Sequence, residues 1–156
     1  DTLVWQCLRS FDPARAVYVE SESRKVGNLA VPDALIAAMR ASPCLRLELS
    51  DDERVALLLE DYDFFVRDRE LFCERLDALV ELRGKATVQA WKDKVRVGDF
   101  NTVVRELLSL HYDPGYERSI RNNFAQYADA VAVVANDRSA GEMDNLARGL
   151  LRAEGS

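Results

Sequence analysis

Glu20 and Glu22 stand two residues apart, Ser23, Arg24 and Lys25 follow directly, and Gly27 closes the group. Carboxylates at that spacing share one face of an extended segment. One of them can hold a magnesium ion, or its water shell, beside a diphosphate. Arg24 offers a fork for bidentate phosphate contacts, Lys25 a point charge and Ser23 a hydroxyl. Gly27 lets the backbone approach a ligand closely or turn with positive φ. The competing reading is a solvated turn in which Glu20 pairs with Arg24 or Lys25 and closes the loop.

A second group lies far downstream: His111, Tyr112, Asp113, Tyr116, Arg118 and Arg121. Rings and guanidinium groups at this density suit stacking and phosphate contacts with a nucleotide or an RNA strand. They equally suit a lid packing back on the body. His111 is the one histidine of the chain, so it cannot build a His-ligated metal site. Its titration near neutrality fits general acid/base work, and its place four residues after Leu107 fits a packed or capping side chain. Cys7, Cys44 and Cys73 are widely spaced, with no CxxC pair. They supply neither metal-site spacing nor a disulfide framework, which points to a reducing cytoplasm. No metal site is expected from the ligand types, and no G-x-x-x-x-G-K-[ST] loop is present to cradle phosphate.

The elements that must position these groups follow from periodicity. Val17-Tyr18-Val19 predicts a buried strand over 16–20 whose carboxyl end delivers the first group, where ligands sit in an open α/β sheet. Before it, Leu3, Val4, Cys7 and Leu8 mark a helix that Asp12-Pro13 ends. Pro32 starts a helix with Ala34, Leu35, Ala38 and Met39 as its stripe, and Ser42-Pro43 stops it. Residues 44–49 alternate like a second strand. Ser50 with Glu53 is a helix-start box in which the two residues satisfy backbone donors reciprocally. Four amphipathic helices follow, marked by Val55/Leu58/Leu59/Tyr62/Phe65, Leu71/Phe72/Leu76/Leu79/Val80, Val88/Trp91/Val95 and Phe100/Val103/Val104/Leu107/Leu108, with breaks at Gly84 and Gly98-Asp99. The apolar run Ala130–Ala135 predicts a central parallel strand, and Met143, Leu146, Leu150 and Leu151 a last helix. The fold class is α/β and helix-rich: a partial, P-loop-NTPase-like parallel sheet in one domain over 1–156, with a large helical insertion at about 50–121.

Composition excludes several classes. The net charge of −6 argues against a simple nucleic-acid-binding domain, yet charge is unevenly placed. Residues 47–82 hold 4 basic and 12 acidic side chains, whereas 83–121 hold 8 basic and 5 acidic. The basic stretch can face an anionic ligand while the acidic one faces solvent; a plain pair of solvated helices has the same composition. No run of 18 apolar residues predicts a membrane span, and the start lacks a signal-peptide pattern. The missing initiator Met, and a start inside a helix pattern, suggest a piece of a longer chain.

Phe11-Asp12-Pro13-Ala14-Arg15, then 19–28 (Val-Glu-Ser-Glu-Ser-Arg-Lys-Val-Gly-Asn), Val31-Pro32, Met39-Arg40, Ser42-Pro43, Leu59-Glu60-Asp61-Tyr62 and His111-Tyr112-Asp113-Pro114 together resemble the bacterial tRNA 2-selenouridine synthases. The resemblance runs over nearly the whole chain and implies the C-terminal portion of a P-loop-like domain, with the rhodanese-like domain and the Walker A loop outside it. It implies an enzyme, a transferase that converts 2-thiouridine to 2-selenouridine at the tRNA wobble position through an S-geranyl intermediate. Selenophosphate and geranyl diphosphate are then substrates of the full-length enzyme, with magnesium possible and no cofactor held by this chain. Glu20, Glu22, Ser23, Arg24, Lys25 and Gly27 become its phosphate-binding candidates. His111, Tyr112, Tyr116, Arg118 and Arg121 become its RNA-binding candidates. Expected partners are tRNA and the missing N-terminal portion, in the cytoplasm and with no membrane; alone the chain is expected to be inactive. A non-catalytic RNA-binding or docking domain, and a nucleotide-kinase-like piece, are the alternatives.

Overall fold

The computed structural model describes residues 2–21, 24–26 and 28–153. Helix α1 (Thr2–Ser10) is followed by the short strands β1 (Lys25–Val26) and β2 (Leu29–Ala30), helix α2 (Asp33–Ala41) and strand β3 (Leu45–Glu48). A run of short helices comes next: α3 (Asp51–Asp61), α4 (Asp63–Arg67), α5 (Arg69–Asp77), α6 (Val80–Arg83), α7 (Lys85–Val97) and α8 (Phe100–Leu107). A π-helical turn over Leu108–Tyr112 joins α8 to α9 (Asp113–Asn123). A 3₁₀ turn at Ala125–Asp129, strand β4 (Val131–Val134) and helix α10 (Ala140–Ala153) complete the chain. Two compact units result, one from 1–48, 120–135 and 139–156, the other from 49–119 and 136–138.

In the first unit β3 and β4 pair in parallel, with Leu45 opposite Val131 and Glu48 opposite Val134. The Ala135 amide extends the ladder by donating to the Glu48 carbonyl at 2.8 Å. The parallel pairing of the two later predicted strands is therefore correct. The central position is not: among the described residues β4 has β3 as its one neighbour, and Leu47 and Val131 remain 64% and 63% exposed. The predicted strand at 16–20 is also absent. Val17, Tyr18 and Val19 are exposed and irregular, because a β-branched run becomes a buried strand only where a ladder receives it. The ladders among the described residues are β1–β2, antiparallel, and β3–β4. Helices α1 and α10 form as the periodicity requires, yet neither buries a residue fully.

The second unit holds its own core. Phe72, Cys73 and Leu76 of α5, Val88, Trp91 and Val95 of α7, and Val103 and Leu107 of α8 form one cluster; Val55, Val104 and Leu108 form another. Trp91 is fully buried, and its indole Nε1 donates to Glu106 Oε2 at 2.7 Å. Glu106 also accepts from Lys94. The Lys94 ammonium, aided by the indole N–H, holds Glu106 below the usual carboxylate range. Cys73 is buried, and burial pushes the pKa of its thiol up.

The predicted breaks at Gly84 and Gly98 hold, with φ of +84° and +87°, a region that suits glycine alone. The four predicted helices are further divided. Tyr62 interrupts the first, and Asp68 caps a new start by accepting from Leu71 N at 3.0 Å. The chain turns again at Ala78–Leu79. Ser50 Oγ caps α3, accepting from Glu53 N at 3.3 Å. The Glu53 carboxylate, expected to complete that box, accepts from Arg138 Nε at 2.9 Å. Arg138 also forks onto Glu60 at 2.8 and 2.9 Å. The two carboxylates raise the Arg138 guanidinium above its ordinary value, Glu60 foremost, and Arg138 in turn lowers Glu60.

Two outcomes follow for stability. Trp91→Ala should cost about 3–5 kcal/mol, the range for a large buried ring, and Ser50→Ala about 1 kcal/mol as a lost cap, read as urea midpoints by far-UV circular dichroism. Because Glu106 has a depressed pKa in the folded chain, its contribution is present above the ordinary carboxylate pKa and is lost as pH falls through the folded value. Glu106→Gln should therefore flatten the loss of stability on acidification below about pH 4; an acid limb unchanged by that substitution would assign the sensitivity elsewhere.

Candidate functional site

In the first unit β1 and β2 pair Lys25 with Ala30 and Val26 with Leu29, and Val31 N–H closes the loop on the Arg24 carbonyl at 2.8 Å. Glu20, Arg24 and Lys25 are exposed. The Arg24 guanidinium pairs with Asp33 at the first position of α2. The remaining members of the predicted anion group, Glu22, Ser23 and Gly27, lie outside the described residues. Among the described residues no strand at 16–20 offers a carboxyl end to such a crevice, and Lys25 lies in the short antiparallel pair β1–β2 before α2. Arg40 donates to Asn123 Oδ1, and the Gln126 amide donates to the carbonyls of Arg40 and Ser42, fixing the end of α2. Arg121, one of the RNA candidates, lies over the Tyr127 ring at 5.7 Å.

In the second unit the downstream group gathers around the π turn, and the turn has a local cause. Pro114 has no N–H to give the Leu110 carbonyl, and its ring crowds that carbonyl. The register slips by one residue, and Asp113 N–H bonds the Leu108 carbonyl five positions back. Asp113 itself is held by Arg54 of α3, with Nη1 at 3.0 Å from Oδ2. Asp113 is the leading cause of the raised Arg54 pKa. His111 packs edge-on against Tyr112, with ring centroids 4.9 Å apart. Its Nδ1 lies 3.4 and 3.3 Å from Nε and Nη2 of Arg83. A guanidinium can only donate, so Nδ1 accepts and neutral His111 carries its proton on Nε2. Tyr116 and Arg118 are exposed on α9.

The turn also borders a cavity of about 330 Å³, with Leu58, Phe72, Val104 and Leu108 among its walls and Tyr62 and Tyr112 at its edge. Sequence periodicity had marked the aliphatic residues as core and Tyr112 as RNA-facing. The legible signal was Asp113-Pro114, whose effect on the preceding turn went unread. Among the described residues, no group of three or more His, Cys, Asp or Glu side chains is placed to hold a metal ion, and no helix is long and apolar enough to cross a membrane.

A family model described as the tRNA 2-selenouridine synthase AAA domain matches residues 1–68. The tRNA 2-selenouridine synthase of Cupriavidus necator is 44% identical over 63 residues, 40% of this chain and 17% of that protein. The tRNA 2-selenouridine synthase of Marinobacter nauticus is 46% identical over 46 residues, 30% of this chain and 12% of that protein. Residues 1–68 are thus similar to the tRNA 2-selenouridine synthase family, a likeness that covers less than half of the chain. The similarity to these two proteins spans less than a fifth of their length. The family match includes the 20–27 group and ends before the 111–121 group. No solved structure matches the chain.

As the one histidine, His111 gives a direct test. In alkaline buffer its ¹⁵N–¹H NMR correlations should show the proton on Nε2, and Arg83→Ala should shift the population toward the Nδ1-protonated form. A wild-type ring protonated on Nδ1 would exclude the Arg83 hydrogen bond.

Proposed function

We propose that this chain is part of a tRNA-modifying transferase that replaces sulfur by selenium at the 2-position of the wobble uridine, through an S-geranyl intermediate. The observation that carries the reading is the family match over residues 1–68, which takes in the group Glu20, Glu22, Ser23, Arg24, Lys25 and Gly27. Selenophosphate and geranyl diphosphate are the anionic substrates. Arg24 and Lys25 would neutralise the departing phosphate or diphosphate charge, the task that fixed cations do best in a water-poor site. Glu20 and Glu22 would hold a magnesium ion shared with substrate oxygens, since that ion needs only one or two protein carboxylates. The tRNA would meet Tyr112, Tyr116, Arg118 and Arg121 through stacking and phosphate contacts, with His111 beside them. The enzyme would work in the cytoplasm.

Transfer needs an activated donor, a positioned acceptor and stabilisation of the departing phosphate or diphosphate charge. The present chain carries cations for one of these tasks, and the others are assigned to an N-terminal portion with a rhodanese-like domain and a P-loop. A docking role for this chain, with chemistry elsewhere, is favoured by a separate observation: the parallel pair β3–β4 leaves Leu45, Leu47, Val131 and Val134 exposed. Parallel strands are normally covered on both faces, so the sheet suits attachment to the rest of such a domain.

Mass spectrometry of digested tRNA tests the catalytic reading. The 156-residue chain should yield no 2-selenouridine alone, whereas the full-length protein should, with turnover reduced about tenfold or more by Arg24→Ala or Glu22→Ala. Robust product from the short chain would place the active site within it. Filter binding tests the RNA surface. Affinity for tRNA should fall with salt, and Arg118→Ala/Arg121→Ala should weaken it and shallow its salt dependence by about two phosphate contacts. Binding indifferent to that double change would move the surface elsewhere.

A further inference from the structure

Two residues around the π-helical turn are tied to other helices, and the residue between them faces solvent. Asp113 is gripped by Arg54 of α3, whose Nη1 donates to Oδ2 at 3.0 Å and whose Nη2 donates to Oδ1. His111 accepts from Arg83, the last residue of α6. A two-pronged guanidinium–carboxylate pair fixes direction as well as distance. Tyr112, held on both sides, leaves 57% of its surface exposed and is braced at one edge by the His111 imidazole. Ordering two arginine side chains costs conformational entropy, and a ring left in water returns little of it through burial. The turn itself is a distortion found mostly at functional sites.

A fixed, exposed phenol ring offers a flat surface for stacking. Free charge is scarcer in this unit than the composition of 83–121 suggests. Lys92, Arg96 and Arg105 are paired with Asp77, Asp93 and Asp52, as Lys94 is with Glu106. Contact with RNA here therefore leans on aromatic surface. Bases inside a duplex already stack on one another, whereas an unpaired base has a π face to give.

We infer that Tyr112 is the residue of this unit that stacks on an unpaired base of the tRNA, and that Arg54 and Arg83 are positioning residues acting through Asp113 and His111. This role rests on the tRNA reading above and deepens it: His111 and Asp113 are occupied in holding the turn, and the contact falls to the ring between them.

Fluorescence anisotropy with a labelled tRNA transcript and the 156-residue chain tests both parts. Tyr112→Leu should weaken binding about fivefold or more, and Tyr112→Phe, which keeps the ring, should restore most of that loss. Arg54→Leu should weaken binding in the wild type but not in the Tyr112→Leu background, because it acts through that ring. An equal loss in both backgrounds would make Arg54 a direct contact and overturn its positioning role. Asp113→Asn, a milder change, takes its place if Arg54→Leu melts early by circular dichroism. Without any RNA, the NOEs between the His111 and Tyr112 rings should weaken in Arg54→Leu and in Arg83→Ala; undiminished NOEs in both would also overturn the positioning role. An unstructured RNA oligonucleotide should compete with the tRNA better than a duplex of the same length, and equal competition would exclude an unpaired base. Binding of tRNA that Tyr112→Leu leaves intact overturns the role of Tyr112 while the tRNA reading stands, whereas no binding by the wild-type chain overturns both.

Discussion

The second unit depends on one indole. Trp91 is fully buried between α5 and α8, and a buried N–H without a partner would cost about 1–3 kcal/mol. Glu106 supplies that partner, which fixes how α8 lies against α7. Lys94, one turn after Trp91, neutralises the carboxylate that the contact draws toward the core. The rest of α8 is then committed: Val103 and Leu107 fall into the main cluster, and Val104 and Leu108 turn toward α3. The cavity wall and the π turn inherit their positions from this arrangement.

The first unit is organised on a different principle. Its parallel strands are held by backbone hydrogen bonds and by side chains at the end of α2, not by a dense core. Buried residues there include Ile36, Ile120, Phe124 and Ala135, whereas the sheet and α1 present large apolar side chains to solvent. Exposed apolar area of this extent is uncommon on a self-sufficient domain. The curated proteins that the chain matches extend far beyond the stretch they share with it.

Local signals were legible in the sequence wherever the cause was local. Ser50, Gly84 and Gly98 act as read, since a cap or a positive φ depends on a few neighbouring atoms. The parallel sheet was also readable, from an alternating run and an apolar run separated by a long helical block. Val17-Tyr18-Val19 was misjudged because burial is a property of what lies beside a strand, and sequence pattern does not contain the neighbour. Glu53 and Arg24 show the same limit for charges: each had a plausible partner nearby, and each pairs with a residue that only the fold brings close, Arg138 and Asp33. The cavity could not be read at all. Its walls have the same periodicity as a filled core, and a void is a matter of how helices splay.

Pro114 has a consequence that reaches past its own turn. An α-helix advances by 3.6 residues per turn, so one inserted residue rotates everything after it by about 100° about the helix axis. Asp113 meets Arg54, and Tyr116 finds its own direction, in a phase offset from that of α8. A helix written without the slip would carry the same side chains in the same order and aim them differently. The absence of one amide hydrogen therefore works as a gear tooth, converting a sequence that reads as a single stripe into two faces that point in different directions.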